Sequence, residues 1–383
     1  MARTPGWIAI VATAAIGCMA AGAPADEKAY RAGVGLANKG ANDAAVQELN
    51  RYLSADPEGA NALSARYTLG VCLARLGKYQ EASKALDAVV GAKEFAFLND
   101  ARLLRAQCAS ATGDYAAAST VLKKLLKDAT QFERADQAAM LYGESQYRLG
   151  RAEQARTVLA GFAARWPKSE SLDRAELICA LSELSLSETE SATTRLEALL
   201  KRSANGSCAG SAALALGQCR QSRGDLAGAR TMFEMAAKSG DAAVVFDAGL
   251  GAARLARTGG DLAGAESALK ALDAANGNPD QVAQLSIERG KLFMQQGKAD
   301  DAAAIFGDVA KSGPDGLKPA AQLWLAKCDL KAGRADGASR AAKQLQQLAE
   351  SMGNSELLPE ILFDRAVAVS QSGDDAGAVV VWI

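Results

Sequence analysis

The chain has 383 residues, 49% hydrophobic, 5% aromatic and 23% charged, the balance of a folded protein and not of a disordered or collagen-like one. Forty-three Lys and Arg stand against 44 Asp and Glu, a formal charge of −1, so no global excess draws the chain to nucleic acid or anionic lipid. Histidine is absent, which removes the side chain most used for proton transfer near neutral pH, the commonest metal ligand, and most familiar catalytic constellations.

In chain order, residues 1–25 read first, as an export signal. Arg3 supplies a positive start, Ile8 to Ala23 is uncharged and mostly apolar, and Ala23-Pro24-Ala25 puts small residues at the cleavage-recognition positions, so the mature chain is expected to begin at Asp26. The apolar run of about 16 residues falls short of the ~20 that cross a bilayer, and Pro5, Gly6 and Gly17 weaken a permanent anchor. Two other readings stay open: a retained anchor, and lipidation at Cys18, since Ala15-Ile16-Gly17-Cys18 resembles a bacterial lipobox with Ala15 where that motif usually carries Leu.

Residues 26–383 repeat. One alanine recurs at Ala45, Ala82, Ala118, Ala155, Ala192, Ala229, Ala265, Ala302, Ala338 and Ala378, at spacings of 36 or 37 residues that lengthen to 40 before the last. Five residues before it stands Gly40, Gly77, Gly113, Gly150, Gly224, Gly260, Gly297, Gly333 or Gly373, with Ser187 the exception. Seven residues earlier again comes a third small residue, such as Gly33, Gly70, Gly143, Gly217 or Gly290. The pattern predicts ten helical hairpins: the turn glycine ends the first helix in the left-handed conformation, and its neighbour, as Asp114, Asp225, Asp261 and Asp374, caps the second. The two small positions let the backbones approach, and Leu49, Leu86, Leu122, Leu159, Leu196, Phe233, Leu269 and Phe306 fill the seam four residues past the alanine. One hairpin buries too little to fold alone, so stability must come from stacking. At Ser187 the run Ser187-Glu188-Thr189-Glu190 is expected to substitute a capping box for the missing glycine. The 40-residue step is expected to lengthen the Ala338 helix by about one turn, ending at Gly353-Asn354.

The cysteines read as packing residues. Cys72, Cys108, Cys219 and Cys328 each stand five residues before the turn glycine, an inward position, and Cys208 and Cys219 would lie ~16 Å apart on one helix, beyond disulfide reach. With no close cysteine pair, phosphate loop, carboxylate cluster or serine-nucleophile context, no catalytic residue, metal or cofactor is expected. Trp166 and Trp324 read as packing between repeats.

These residues resemble the tetratricopeptide repeat family: Leu69-Gly70, Gly77-Lys78-Tyr79, Ala82 and Leu86 follow its pattern, as do Tyr142-Gly143, Gly150, Ala155, Leu159, Phe162 and Pro167. The period is two or three residues longer than that family's usual 34, and its proline after the second helix stands only at Pro57, Pro167 and Pro314. The longer period, with Trp166-Pro167-Lys168-Ser169, resembles bacterial cell-envelope members such as the periplasmic cell-division coordinator and outer-membrane assembly lipoproteins. The resemblance implies an all-α fold, a right-handed α-α superhelix of about ten hairpins, and a scaffold in the periplasm or cell envelope that holds a protein or peptide against its first helices.

The corresponding first-helix positions are Tyr67, Val71, Arg75, Met140, Glu144, Tyr147, Arg148, Gln218, Gln221, Arg254, Arg257, Lys291, Lys327 and Lys331. Among them Arg254, Arg257, Lys291, Lys327 and Lys331 are expected to form a cationic strip unaccompanied by acids, either a solvated face or an attractor for an acidic peptide or anionic glycan. A passive spacer or self-assembling envelope component is the alternative role, and a polysaccharide-binding subunit of a secretion machine a further one. The chain stops at Ile383, five residues past Ala378, so it is expected to be a fragment whose last hairpin continues.

Overall fold

The computed structural model describes residues 25–129, 131–274, 277–334, 336–353 and 355–382; the expected export signal, apart from its last residue, and Cys18 lie outside them. The fold is all-α, with no strand among the described residues. The hairpins follow the sequence register. The first three pair α1 (Ala25–Asn38) with α2 (Asn42–Ala55), α3 (Ala62–Arg75) with α4 (Tyr79–Val90), and α5 (Leu98–Ala111) with α6 (Tyr115–Asp128). In the fourth, α7 (Ala135–Arg148) meets a second helix interrupted at Gly161 into α8 (Ala152–Leu159) and α9 (Phe162–Arg165). The next three pair α10 (Leu172–Ser185) with α11 (Thr189–Arg202), α12 (Ala209–Ser222) with α13 (Leu226–Ala236), and α14 (Ala242–Thr258) with α15 (Leu262–Ala271). The last three are α16 (Pro279–Gln295) with α17 (Ala299–Ser312), α18 (Lys318–Lys331) with α19 (Gly337–Met352), and α20 (Leu358–Gln371) with α21 (Asp375–Trp382). No described helix is long and apolar enough to cross a membrane. The chain divides into two compact units between Arg195 and Leu196, inside α11.

In nine of the ten described hairpins the turn is built alike. At Gly77, with φ of 75°, the Gly77 N–H donates to the Ala74 carbonyl and the Lys78 N–H to the Leu73 carbonyl, closing the last turn of α3 by the two bonds of a Schellman motif. Asp114, Asp225, Asp261 and Asp374 cap the following helices as expected, each side chain accepting from the backbone N–H three residues on at 2.8–3.0 Å.

Ser187 stands one residue ahead of the cap of α11 and not at it, as the expected capping box requires. It takes the glycine's place at φ 63°, and its N–H and that of Glu188 donate to the Leu184 and Glu183 carbonyls, the same two bonds as at Gly77. Serine here adopts the left-handed conformation that glycine takes at the other turns. Ser187→Gly is expected to remove that strain and stabilise the fifth hairpin by about 1 kcal/mol. Urea denaturation checks it; an unchanged or lower midpoint would contradict it. A capping box does form at Asn278, which exchanges hydrogen bonds with Gln281 at the start of α16, where Pro279 is the first helical residue.

In the first unit Ala45, Ala82, Ala118, Ala155 and Ala192 are fully buried, and Leu49, Leu86, Leu122 and Leu159 fill the seams. Close approach is literal: a Cβ on Gly143 would lie 2.5 Å from Leu159 Cγ. In the second unit Ala229, Ala265 and Ala302 repeat the arrangement with Phe233, Leu269 and Phe306. The ninth hairpin departs from expectation. Ala341, Leu345 and Leu348 stand where α17 has Ala302, Phe306 and Val309, and Ala338 is only half-buried. The extra residues therefore lie before the seam, between Gly333 and α19, and not at the end of the helix.

The six described cysteines are all thiols. Burial pushes Cys72 up to about 11 and Cys108, Cys179 and Cys328 up to about 12, as expected of packing residues. Trp166 packs on Phe162, and Trp324 stacks on Phe306 with Lys327 over its other neighbourhood at 4.7 Å from the ring centre.

Candidate binding faces on the first helices

First helices supply most of the walls of two open cavities, one in each unit. In the first unit a cavity of about 180 Å³ is lined by α3, α5, α7 and α10, with Tyr79 and Tyr115 from the second helices. Its walls are largely apolar, through Ala74, Leu104, Cys108 and Ala111. Its polar liners include Gln107, Glu144, Arg148 and Arg174. Glu144 is buried and gripped by Arg174 of the next hairpin through two hydrogen bonds of 2.6 and 3.1 Å. Arg148 is exposed and forms no ion pair among the described residues.

In the second unit a cavity of about 430 Å³ is lined by α12, α14 and α16 and is polar: Gln218, Gln221, Asp247, Arg254, Asp280 and Gln284 face it. Beside it stands Glu288, 3% exposed at its side chain, with Arg254 Nε at 3.0 Å, Arg257 Nη2 at 3.2 Å and Lys291 Nζ at 3.1 Å. Burial pulls the Glu288 carboxyl upward, but Lys291, Arg254 and Arg257 outweigh it and hold the group below its usual value. Burial lowers the Lys291 ammonium, and the attraction of Glu288 does not fully offset it.

The expectation of a cationic strip without acids is therefore overturned. Glu288 comes from the hairpin after Arg254 and Arg257. Lys327 lies between Glu360 and Asp364 of the following hairpin, 3.1 Å from Asp364, and Lys331 donates to the Met294 carbonyl at 2.7 Å. Arg254, Arg257, Lys327 and Lys331 are engaged across a repeat boundary, by partners 30 or more residues away, and Lys291 shares Glu288 from three residues on along the same helix.

The other expected positions divide. Arg148 and Glu144 meet in the first cavity, and Gln218, Gln221 and Arg254 in the second. Tyr67 is 8% exposed, stacked on Phe97 with Phe95 edge-on, so it packs under the loop after α4 and offers no contact to a partner. Val71 and Met140 are likewise interior. Tyr147 is half-buried against the core around Phe162 and Ile178, and Arg75 is half-buried near the end of α3. Gln107 was not singled out, yet it stands six residues before its turn glycine, the register of Glu144, Gln218, Arg254, Lys291 and Lys327. The register marks it as it marks Gln218, but its burial is visible only in the fold.

Glu288 gives a signed pH dependence. Its folded value is depressed, so its contribution is complete above the unfolded carboxylate value of about 4.3 and is lost as pH falls through the lower folded value. Glu288→Gln is expected to flatten that acid loss in the second unit; parent and variant losing stability in parallel below pH 4.3 would contradict it.

Comparison with known proteins agrees with this architecture. Two tetratricopeptide repeat models match, one over residues 30–97 and 100–170 and the other over 293–351. No curated protein sequence matches. Among solved structures, the apo form of the quorum sensor NprR from B. thuringiensis is similar with a TM-score of 0.65 and 13% identity, over 86% of this chain and 97% of that one. A tetratricopeptide repeat protein from Parabacteroides merdae aligns with a TM-score of 0.41 and 17% identity, over 79% of this chain and 98% of that one. PilF of Pseudomonas aeruginosa aligns with a TM-score of 0.44 and 20% identity, over 55% and 90%. With ten described hairpins in register, Schellman turns at eight of the nine repeat glycines and models matching in both halves, the chain belongs to the tetratricopeptide repeat family.

Proposed function

We propose that the chain is an exported, non-catalytic scaffold of the bacterial cell envelope that seats a segment of a partner protein along its first helices. The observation that carries the binding reading is that both cavities open on successive first helices, where side chains of one register, Gln107, Glu144, Gln218 and Arg254, come together. Interaction scaffolding is what this repeat fold supports. Export rests on the signal-like residues 1–25, and a membrane tether would follow from lipidation at Cys18. The test is photo-crosslinking from residues introduced at Gln107 and Gln218 in the native envelope, compared with the same residue at exposed second-helix positions. Adducts confined to the first-helix sites support a scaffold; adducts at neither support a spacer. Intact mass of the exported protein reads the Asp26 start.

The polar character of the second cavity favours one other reading. Gln218, Gln221, Gln284 and Asn278 beside Asp247 and Asp280 form a set of amides and carboxylates suited to hydroxyl groups, as a polysaccharide-binding subunit would need. An oligosaccharide array separates the two readings.

A further inference from the structure

We propose that the cavity among α3, α5, α7 and α10 is a specificity pocket that takes one tryptophan or tyrosine side chain of the partner, followed in the partner by an acidic residue. The inference rests on the scaffold reading and names what that scaffold selects. A single water needs roughly 10–15 Å³ of such space, so about 180 Å³ between Tyr79, Leu104 and Tyr115 accommodates a ring.

The polar liners narrow the choice. Gln107 is nine-tenths buried, its amide has no hydrogen-bond partner among the described residues, and its oxygen is closed off from water. A buried acceptor left unmade is unfavourable, so an occupant carrying an N–H or O–H gains at this site what a hydrocarbon of the same size does not. Rotation about the terminal bond of Gln107 can turn either end of the amide toward that occupant. Glu144 cannot serve the same purpose, since Arg174 already holds both its oxygens.

Leucine and phenylalanine would fill the space but leave Gln107 unsatisfied. Lysine and arginine would bring a cation beside Arg148 and Arg174, and small polar side chains would leave the apolar walls uncovered. Tryptophan and tyrosine meet all three conditions. Arg148, at the cavity without an ion pair, then meets a carboxylate on the adjacent residue of the partner.

The test uses the full chain and fluorescein-labelled hexapeptides Gly-Ser-Xaa-Asp-Ser-Gly, with Xaa as Trp, Tyr, Phe or Ala, read by anisotropy. Trp or Tyr is expected to bind at least about fivefold tighter than Phe. Gln107→Leu should abolish that preference while holding the Phe peptide as well as the parent does, with helical circular dichroism unchanged. Arg148→Gln should weaken the Asp peptides by about threefold and leave an Asp-to-Ser version unchanged. Equal binding of Trp and Phe by the parent, a preference that survives Gln107→Leu, or no binding of any peptide at millimolar concentration would each overturn the pocket. If crosslinks from a residue introduced at Ser110, which also lines this cavity, persist undiminished in Gln107→Leu and in the space-filling Ala111→Trp, the pocket fails and the scaffold stands; absence of all first-helix crosslinks is failure of the scaffold reading itself.

Discussion

Arg195→Ala is expected to destabilise the fifth hairpin by about 3–5 kcal/mol. Arg195, on α11, reaches Glu176 and Glu183 of α10 at 2.8 Å each, and the two carboxylates are only 8% and 4% exposed at their side chains. Burial works against the guanidinium's charge, but its hydrogen bonds to Glu183 and Glu176 outweigh it and raise the group above its ordinary value, so the guanidinium stays charged throughout the accessible pH range. Truncating it strands two buried carboxylates within one hairpin. Replacing all three members together, as Arg195→Met with Glu176→Gln and Glu183→Gln, should restore most of the loss, because the penalty lies in the uncompensated charge. Urea unfolding with amide exchange in α10 and α11 measures both. A loss below about 1 kcal/mol for Arg195→Ala would place the group among ordinary exposed ion pairs.

Phe233→Ala is expected to cost about 3–5 kcal/mol in the second unit. The Phe233 ring is 1% exposed and lies against two glycines of neighbouring helices: a Cβ on either Gly217 of α12 or Gly251 of α14 would come within 2.8 Å of it. Both backbones approach because those positions carry no side chain, so neither can fill the space the ring leaves. The converse substitution, Gly251→Ala, should cost about 1–3 kcal/mol by overpacking the same ring. Thermal unfolding of the two variants checks the pair; a Phe233→Ala loss as small as that of an exposed residue would mean the helices close over the gap.

The hairpins were legible in the sequence because their determinants are local. A turn residue, a small residue before it and an alanine after it fall within one short window, and the backbone they specify recurs wherever they do. Ser187 escaped this reading because nothing in Ser187-Glu188-Thr189-Glu190 announces φ 63°: the residues that suit a cap stand where the chain makes a glycine-like turn. Ala338 misled for a related reason, since an alanine three residues too early satisfied the count while Ala341 satisfied the packing.

The binding faces were legible only by half. Register placed Arg148, Gln218 and Arg254 on the lining of the cavities, but charge could not be judged one helix at a time. The acid that neutralises Arg254 and Arg257 is Glu288, on the next hairpin, and the partners of Lys327 are Glu360 and Asp364, again one hairpin on. A neutral residue such as Gln107 gains meaning only when its burial and missing partner are seen together.

Those pairs between hairpins also bear on how such an array can be rebuilt. The turns and seams are nearly interchangeable, so a hairpin cut out at its outer loops and inserted elsewhere would still fold as a hairpin. Its neighbours would not be interchangeable: Glu144 needs Arg174 after it, Arg254 needs Glu288, and Lys327 needs Asp364. Moving the fourth hairpin away from the fifth would leave Glu144 buried with no counter-ion, a penalty that duplicating the fourth and fifth as a pair avoids. The order of the modules is thus written in charge on surfaces where they meet, separately from the small residues that shape each one, and recombination that respects the first code while copying the second yields longer arrays without redesign.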